Sequence, residues 1–338
     1  MVSVGIIGAS GYTGVELLRL VAGHPDLRLV HATGDTQAGT LARTLYPSLA
    51  VAYPDLVFAE NDPDAVDGLD LVFLGLPHEA SMEIVPRIKD KVGCIVDLSA
   101  AYRMKDARVY PQWYGFDHTQ PAELERAVYG LPELFRDELR GARLIATPGC
   151  YVTAATLALA PLLRAGLVAD TGIIVDAASG VSGAGRSPKH GSLFCTVDED
   201  FTAYGLLDHR HTPEIEQNLC AQVLFTPHLA PMNRGILATC YARPAAPVTT
   251  ASLLAMLASF YRDEPFVTVN TVSPSTKATL GSNAVHITAR YDERTDTVVV
   301  IAAEDNLTKG ASGGAVQAAN VALGLVETAG LTSVGVYP

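Results

Sequence analysis

Basic runs, clustered cysteines and long unbroken apolar stretches are all missing from this chain of 338 residues. Its 24 Lys and Arg stand against 36 Asp and Glu, a formal net charge of −12, and no segment concentrates positive charge. Neither nucleic acid nor an anionic membrane surface is therefore an expected partner. Any anionic ligand must be met by a few placed cations. The five cysteines (Cys94, Cys150, Cys195, Cys220 and Cys240) are odd in number, scattered and without a CxxC pair, which argues against a disulfide framework and a zinc ribbon. Met1-Val2-Ser3-Val4-Gly5-Ile6-Ile7-Gly8 enters a strand at once, with no basic n-region or apolar h-region. The apolar stretch after Cys150 is broken by Pro161 and Arg164. The expectation is a cytoplasmic chain with reduced thiols and no membrane span. There is no internal repeat, low-complexity tract or long linker.

What is present is ample material for buried cores: 49% of residues are hydrophobic, and the length suggests roughly two domains. Residues 2 to 7 read as a buried strand, followed by a glycine turn and a helix from about Thr13 that stops at Gly23. Further strands are expected at Leu27–Ala32, Leu71–Leu76, Cys94–Leu98 and Leu144–Ala146, several with helical material between them. That alternation predicts an α/β fold with a Rossmann-type, doubly wound parallel sheet. After a helix running from Cys150 to Leu163 the texture changes. Strands are expected at Ile173–Ala177, Val223–Pro227, Gly235–Ala242, Val267–Asn270, Val285–Tyr291 and Val298–Ala303, with helices chiefly at Pro213–Leu219 and Ala251–Tyr261. This predicts a second, α+β domain with a mixed or antiparallel sheet. The spacing of Val316, Ala319, Leu323 and Val326 predicts a last helix.

Gly8-Ala9-Ser10-Gly11-Tyr12-Thr13-Gly14 follows a strand and opens a helix, the context a dinucleotide fingerprint requires. Gly8 would make the tight turn, Gly11 would let a pyrophosphate approach backbone N–H groups, and Gly14 would allow close helix-to-strand packing. The second strand should end beside the adenosine ribose. There Thr33 and Thr36 are possible donors to a 2′-phosphate and Arg43 a nearby cation, whereas Asp35 argues for the unphosphorylated ribose.

Cys150 sits in Thr147-Pro148-Gly149-Cys150-Tyr151, between a short strand and a helix. Unpaired N–H groups and the helix dipole at such a position favour thiolate over thiol. A nucleophilic thiol works with a base, and His209-Arg210-His211-Thr212-Pro213-Glu214 supplies two candidates before a helix in which Thr212 reads as the N-cap and Pro213 as N1. One of the two histidines should face Cys150. HxH spacing also suits a metal, but no second ligand cluster stands out, so no metal is expected. Ser179-Gly180-Val181-Ser182-Gly183-Ala184-Gly185-Arg186 is a small-residue turn that permits close approach of a flat ring. Asp97-Leu98-Ser99-Ala100-Ala101-Tyr102-Arg103 leaves the fourth strand on its ligand-binding end, making Arg103 a candidate anion clamp. Arg186, Arg234 and His78 read equally as surface or loop residues.

Together these segments resemble the N-acetyl-gamma-glutamyl-phosphate reductase family of the aspartate-semialdehyde dehydrogenase group. Gly8 to Gly14, Phe73-Leu74-Gly75-Leu76-Pro77-His78, Asp97-Leu98-Ser99 with Arg103, Ala127 to Glu133, Pro148 to Tyr151, Ser179 to Arg186, His209 to Ile215 and Asp305 to Ala311 carry the resemblance. It implies Cys150 as nucleophile and His211 as acid/base, with Arg103, Glu214, His209 and Arg234 contacting substrate. The cofactor it implies is NADPH, held by Gly8, Ser10, Gly11, Tyr12, Thr13, Gly14 and Thr33, with Ser182, Gly183 and Asn306 at the nicotinamide. Residues 1–148 would form the dinucleotide-binding domain, with a C-terminal helix over 311–338 packing back on it. Residues 149–310 would form the catalytic and oligomerisation domain of a homodimer or homotetramer. The implied reaction is reduction of a small-molecule acyl phosphate, N-acetyl-L-glutamyl 5-phosphate, through a Cys150 thioester. Reduction of an aminoadipyl phosphate one methylene longer is the nearest alternative. A nucleotide-sensing protein without catalysis and a cofactor-free thiol hydrolase are the readings from other classes.

Overall fold

Short apolar runs such as Leu71–Leu74 and Cys94–Asp97 are buried along their whole length, as parallel strands must be when crossover helices cover both faces of a sheet. The computed structural model describes residues 1–338, which divide into two units: Met1–Pro148 with Ala311–Leu331, and Gly149–Gly310 with Thr332–Pro338.

The first unit is built on β1 (Val2–Ile7), β2 (Leu27–Ala32), β3 (Leu71–Leu74), β4 (Cys94–Asp97), β5 (Val128–Tyr129) and β6 (Leu144–Ala146), in the order β2-β1-β3-β4-β6-β5. Every pairing is parallel. The winding direction reverses at β1, which makes the loops beyond its carboxyl end the natural ligand crevice. Helix α1 (Tyr12–Ala22) follows β1 and ends at Gly23. Helices α2 (His78–Ile88) and α3 (Pro132–Leu139) follow later strands. The C-terminal helix, Gly313–Ala322, is buried at every position, and its Ala315, Val316, Ala318 and Ala319 share a core with Leu17, Leu18 and Phe73. Small side chains let it lie close, and its polar residues are paired, as burial demands. Gln317 Nε2 donates to Glu133 (3.0 Å) and Glu327 (2.8 Å), and Asn320 Nδ2 donates to the carbonyls of Glu327 (3.1 Å) and Ala329 (3.0 Å).

That helix is much shorter than the expected span of 311–338. A π-helical turn over Thr308–Ser312 precedes it, and Gly324 and Gly330, both at positive φ, break the chain beyond it. Residues 332–338 belong instead to the second unit, where Asn283 N–H donates to Thr332 O (2.7 Å) and Val336 N–H to Leu280 O (2.8 Å). Val334 and Val336 lack the helical period that would have held them on the first.

The second unit carries β7 (Ile173–Gly180), β8 (Thr202–Ala203), β9 (Val223–Ala230), β10 (Ile236–Ala242), β11 (Val267–Val269), β12 (Val285–Asp292) and β13 (Thr297–Glu304), ordered β11-β12-β13-β10-β7-β9-β8. The sheet is mixed: β7 with β9 and β11 with β12 are parallel, the other pairs antiparallel. Strand β10 buries Ile236, Ala238, Cys240 and Ala242 in strict alternation, the period-2 signature of a sheet with one covered face. Helices α4 (Cys150–Arg164), α5 (Thr212–Leu219) and α6 (Thr250–Phe260) belong to this unit, α4 packing against β10 and β13. No helix in the chain is long and apolar enough to cross a membrane.

Candidate active site

In the first unit the glycine turn has the shape its spacing implies. Gly8 lies at φ +87, where a side chain would also sit 2.4 Å from Gly75 O, and a Cβ on Gly14 would fall 2.5 Å from the Ala9 backbone. Gly11, the N-cap of α1, has no side-chain cap. A Cβ there would meet nothing nearer than Gly8 O at 3.7 Å. No side chain caps the first turn of α1 and no Cβ at Gly11 blocks approach to it, which fits a cradle for a dinucleotide pyrophosphate.

The expected contacts from Ser10 and Thr33 look different at atomic detail. Ser10 Oγ donates to Gly34 O (2.8 Å). Thr33 is completely buried; its hydroxyl accepts the Gly8 N–H (3.0 Å) and donates to Asn61. Both side chains therefore brace the turn from behind, and Thr33 offers no hydroxyl to a 2′-phosphate. Asp35, Thr36 and Arg43 are exposed just beyond, with Asp35 at φ 49 opening a short 3-10 turn.

Arg103 is anchored in the same unit by an unusually braced loop. Asp97, wholly buried, accepts Ser81 Oγ (2.9 Å), Ser99 N–H (3.0 Å) and Ser99 Oγ (2.8 Å). Desolvation pushes its carboxyl pKa up against those bonds and the Arg103 charge. Arg103 Nη2 donates to Leu98 O (2.9 Å), and Tyr110 OH donates to Ala101 O (2.7 Å). His78 opens α2, and its Nδ1 accepts the Ala100 N–H (3.0 Å).

In the second unit Cys150 is the first residue of α4, whose N-cap Gly149 offers no side-chain cap. His211 is buried and lies directly against Gly149: a Cβ added there would be 2.4 Å from its Nε2. Glu214, with no exposed surface, accepts the Gly149 N–H (3.0 Å), so one oxygen of the expected substrate contact is engaged in fixing the turn before the thiol. The expected N-cap moves by one residue. Ile215 N–H already bonds His211 O (2.9 Å), so α5 begins at Thr212, and His211, in helical φ/ψ, is the cap. Two other thiols are unsuited to chemistry: burial pushes Cys94 and Cys240 up to about 12.

Ser182, Gly183 and Asn306 come together as well. Asn306 Nδ2 donates to Ser182 Oγ (3.0 Å) and its Oδ1 accepts Gly235 N–H (2.7 Å), while a Cβ on Gly183 would stand 3.7 Å from Nδ2. Arg234 Nη1 lies 3.3 Å from Asp305 Oδ2. Asp305 is a centre the sequence reasoning missed: buried, it also accepts the N–H groups of Gly281 (2.7 Å), Leu307 (2.8 Å) and Thr308 (3.0 Å). An Asp two and three residues before the amides it binds is a local capping pattern and was legible as such.

Family models match both units: "Semialdehyde dehydrogenase, NAD binding domain" over residues 3–142 and "Semialdehyde dehydrogenase, dimerisation domain" over residues 150–306. The chain is 49% identical to an N-acetyl-gamma-glutamyl-phosphate reductase of Symbiobacterium thermophilum, covering 100% of this chain and 99% of that one. It is 47% identical to the proteins of that name from Citrifermentans bemidjiense and Geobacter sulfurreducens, over 100% of both chains in each case.

The chain belongs to the N-acetyl-gamma-glutamyl-phosphate reductase family. Among solved structures, aspartate semialdehyde dehydrogenase II of Vibrio cholerae superposes with a TM-score of 0.70 at 16% identity, covering 95% of this chain and 98% of that one. Aspartate semialdehyde dehydrogenase from Candida albicans gives 0.69 at 16%, with coverage of 95% and 98%. These likenesses establish the shared α/β architecture. Membership gives the first unit a nicotinamide dinucleotide as ligand and the second a part in oligomerisation.

Proposed function

We propose that this chain reduces N-acetyl-L-glutamyl 5-phosphate to N-acetyl-L-glutamate 5-semialdehyde and phosphate, with NADPH as reductant, in arginine biosynthesis. The observation that carries the reading is the junction of Gly149, Cys150 and His211: a thiol at an uncapped helix start with an imidazole packed against the preceding residue. The relatives' names supply the substrate.

Cys150 attacks the acyl-phosphate carbonyl as thiolate, and the first N–H groups of α4 favour both that anion and the developing oxyanion. Phosphate leaves with the bonding pair, and a thioester remains on Cys150. Arg103 is assigned to the phosphate. Gly8 to Gly14 would hold the pyrophosphate of a nicotinamide dinucleotide, and Ser182, Gly183 and Asn306 are assigned to its nicotinamide; when bound, the dinucleotide would supply the hydride that reduces the thioester. His211 donates a proton to the resulting alkoxide and recovers it as the C–S bond breaks, releasing aldehyde and regenerating thiolate. Glu214 holds the Gly149 turn, and Arg234 is assigned to the substrate carboxylates. A homodimer or homotetramer formed through the second unit is the working assembly.

Mass spectrometry of protein treated with the acyl phosphate alone tests the nucleophile. An N-acetylglutamyl adduct on Cys150, discharged by NADPH, is expected. An adduct elsewhere, or reduction without one, overturns the thioester route. Initial rates with NADPH and NADH, and with the aminoadipyl analogue, test cofactor and chain length.

A further inference from the structure

His209 offers more than a second imidazole near the thiol. The backbone N–H of His211 donates to His209 Nδ1 at 3.1 Å, and a ring nitrogen that accepts a hydrogen bond carries no proton, so the ring proton resides on Nε2. The His209 carbonyl accepts the Thr212 N–H (2.9 Å). Side chain and main chain of one residue therefore fix the two peptide units that flank His211. The ring is itself wedged edge-on between four others: His211 (centroids 4.7 Å apart), Phe225 (5.3 Å), Tyr204 (5.5 Å) and Tyr151 (5.9 Å). Tyr151 is the residue after Cys150 on α4, and its hydroxyl donates to His228 O (2.8 Å) and receives Tyr204 OH (3.2 Å). The cage thus ties the turn bearing His211 to the helix bearing the thiol.

We propose that His209 is a positioning residue, whose Nδ1 holds the His211 backbone so that the His211 imidazole stays seated against Gly149, and that it neither transfers a proton nor contacts substrate. The inference deepens the function proposed above and rests on it for its kinetic test. Burial agrees with it, pushing the His209 pKa down to about 4, with the Arg210 charge adding to the fall and Asp208 opposing it. An imidazole so depressed stays uncharged throughout the neutral range, where an acid/base partner needs both forms.

Asn and Leu at position 209 separate the roles, because Asn Oδ1 lies where Nδ1 does and can accept the same N–H, whereas Leu fills the space without an acceptor. His209→Asn is expected to keep kcat within about 3-fold, and His209→Leu to lose roughly 10- to 100-fold in kcat with KM for the acyl phosphate little changed. A kcat loss in His209→Asn as deep as in His209→Leu would make His209 a proton carrier and overturn the proposal. So would a rise in KM at constant kcat, which would make it a substrate contact. Nitrogen-15 NMR of wild-type imidazoles decides independently of turnover: an Nε2–H tautomer at position 209 that persists from pH 8 to pH 6 is expected. An Nδ1–H tautomer there overturns the proposal. An inactive wild type that still shows the Nε2–H tautomer would sink the functional reading alone.

Discussion

Substituting Gly149 by alanine isolates the geometry on which the chemistry rests. Gly149 has φ −66 and ψ 147, which any L-residue adopts, so alanine introduces no backbone strain. Its Cβ, however, would fall 2.4 Å from His211 Nε2, 2.7 Å from Cδ2 and 2.8 Å from Cε1, where carbon contacts settle at about 3.5 to 4.0 Å. The imidazole must retreat by roughly 1 Å, and a displacement of that size costs on the order of 10²-fold in rate, or about 2.7 kcal/mol in the barrier. Stability should move less. Overpacking costs about 1 to 3 kcal/mol, and the lost freedom of the unfolded chain returns about 0.4 to 1 kcal/mol. The assay is NADPH oxidation with the acyl phosphate, run as a double-mutant cycle with His211→Ala. With the ring gone the methyl has room, so Gly149→Ala should change the His211→Ala rate by no more than about 3-fold. Full activity in the single variant, or an equal loss in both backgrounds, would refute the argument.

Cys150→Ser should lower turnover by at least about 10³-fold while leaving dinucleotide affinity unchanged, since serine forms a poorer nucleophile and a less reactive ester; fluorescence titration with NADPH beside the kinetic assay checks both halves. Gly14→Val, whose side chain would collide with the Ala9 backbone at 2.5 Å, should raise the dinucleotide Kd by more than about 10-fold, yet leave iodoacetamide alkylation of Cys150 at its wild-type rate. The pH dependence of stability has a defined sign. His209 falls from 6.5 to about 4 on folding, so its contribution is complete above pH 6.5 and is lost as pH drops toward 4, by up to roughly 3 kcal/mol. Burial lowers His24, His31, His118 and His286 as well, adding losses of the same sign below their ordinary 6.5. Urea titrations at pH 7 and pH 4.5 should show a smaller acid loss in His209→Asn than in the wild type, and parallel losses would contradict the shift.

The elements legible in advance are those whose signal is local. β1, the glycine turn and α1 announce themselves through a buried run, a Gly spacing and a terminating Gly23, and the α/β architecture follows from that alternation. β5 and β8 did not, because strands of two residues carry no period and exist only by pairing with β6 and β9. The C-terminal helix was legible in its apolar spacing, but its stop at Ala322 was not, because Val326 continues the pattern past the break made by Gly324. Residue identity marked Cys150 and the two histidines as a set. It could not say that Thr33 would spend its hydroxyl on Gly8 and Asn61, or that His209 Nδ1 would face a backbone N–H. Those outcomes depend on side-chain direction across 25 residues of sequence in one case and a two-residue turn in the other, which no periodicity encodes.

The nucleotide-binding sheet takes its final covering helix from residues 313–322, after residues 149–310 of the second unit have been translated. A nascent chain emerging from the ribosome must therefore carry that sheet with the surface around Leu17, Leu18 and Phe73 uncovered until residues 313–322 have emerged. Termination between residues 148 and 313 would release not a free-standing nucleotide domain but a sticky intermediate, a substrate for chaperones and proteases.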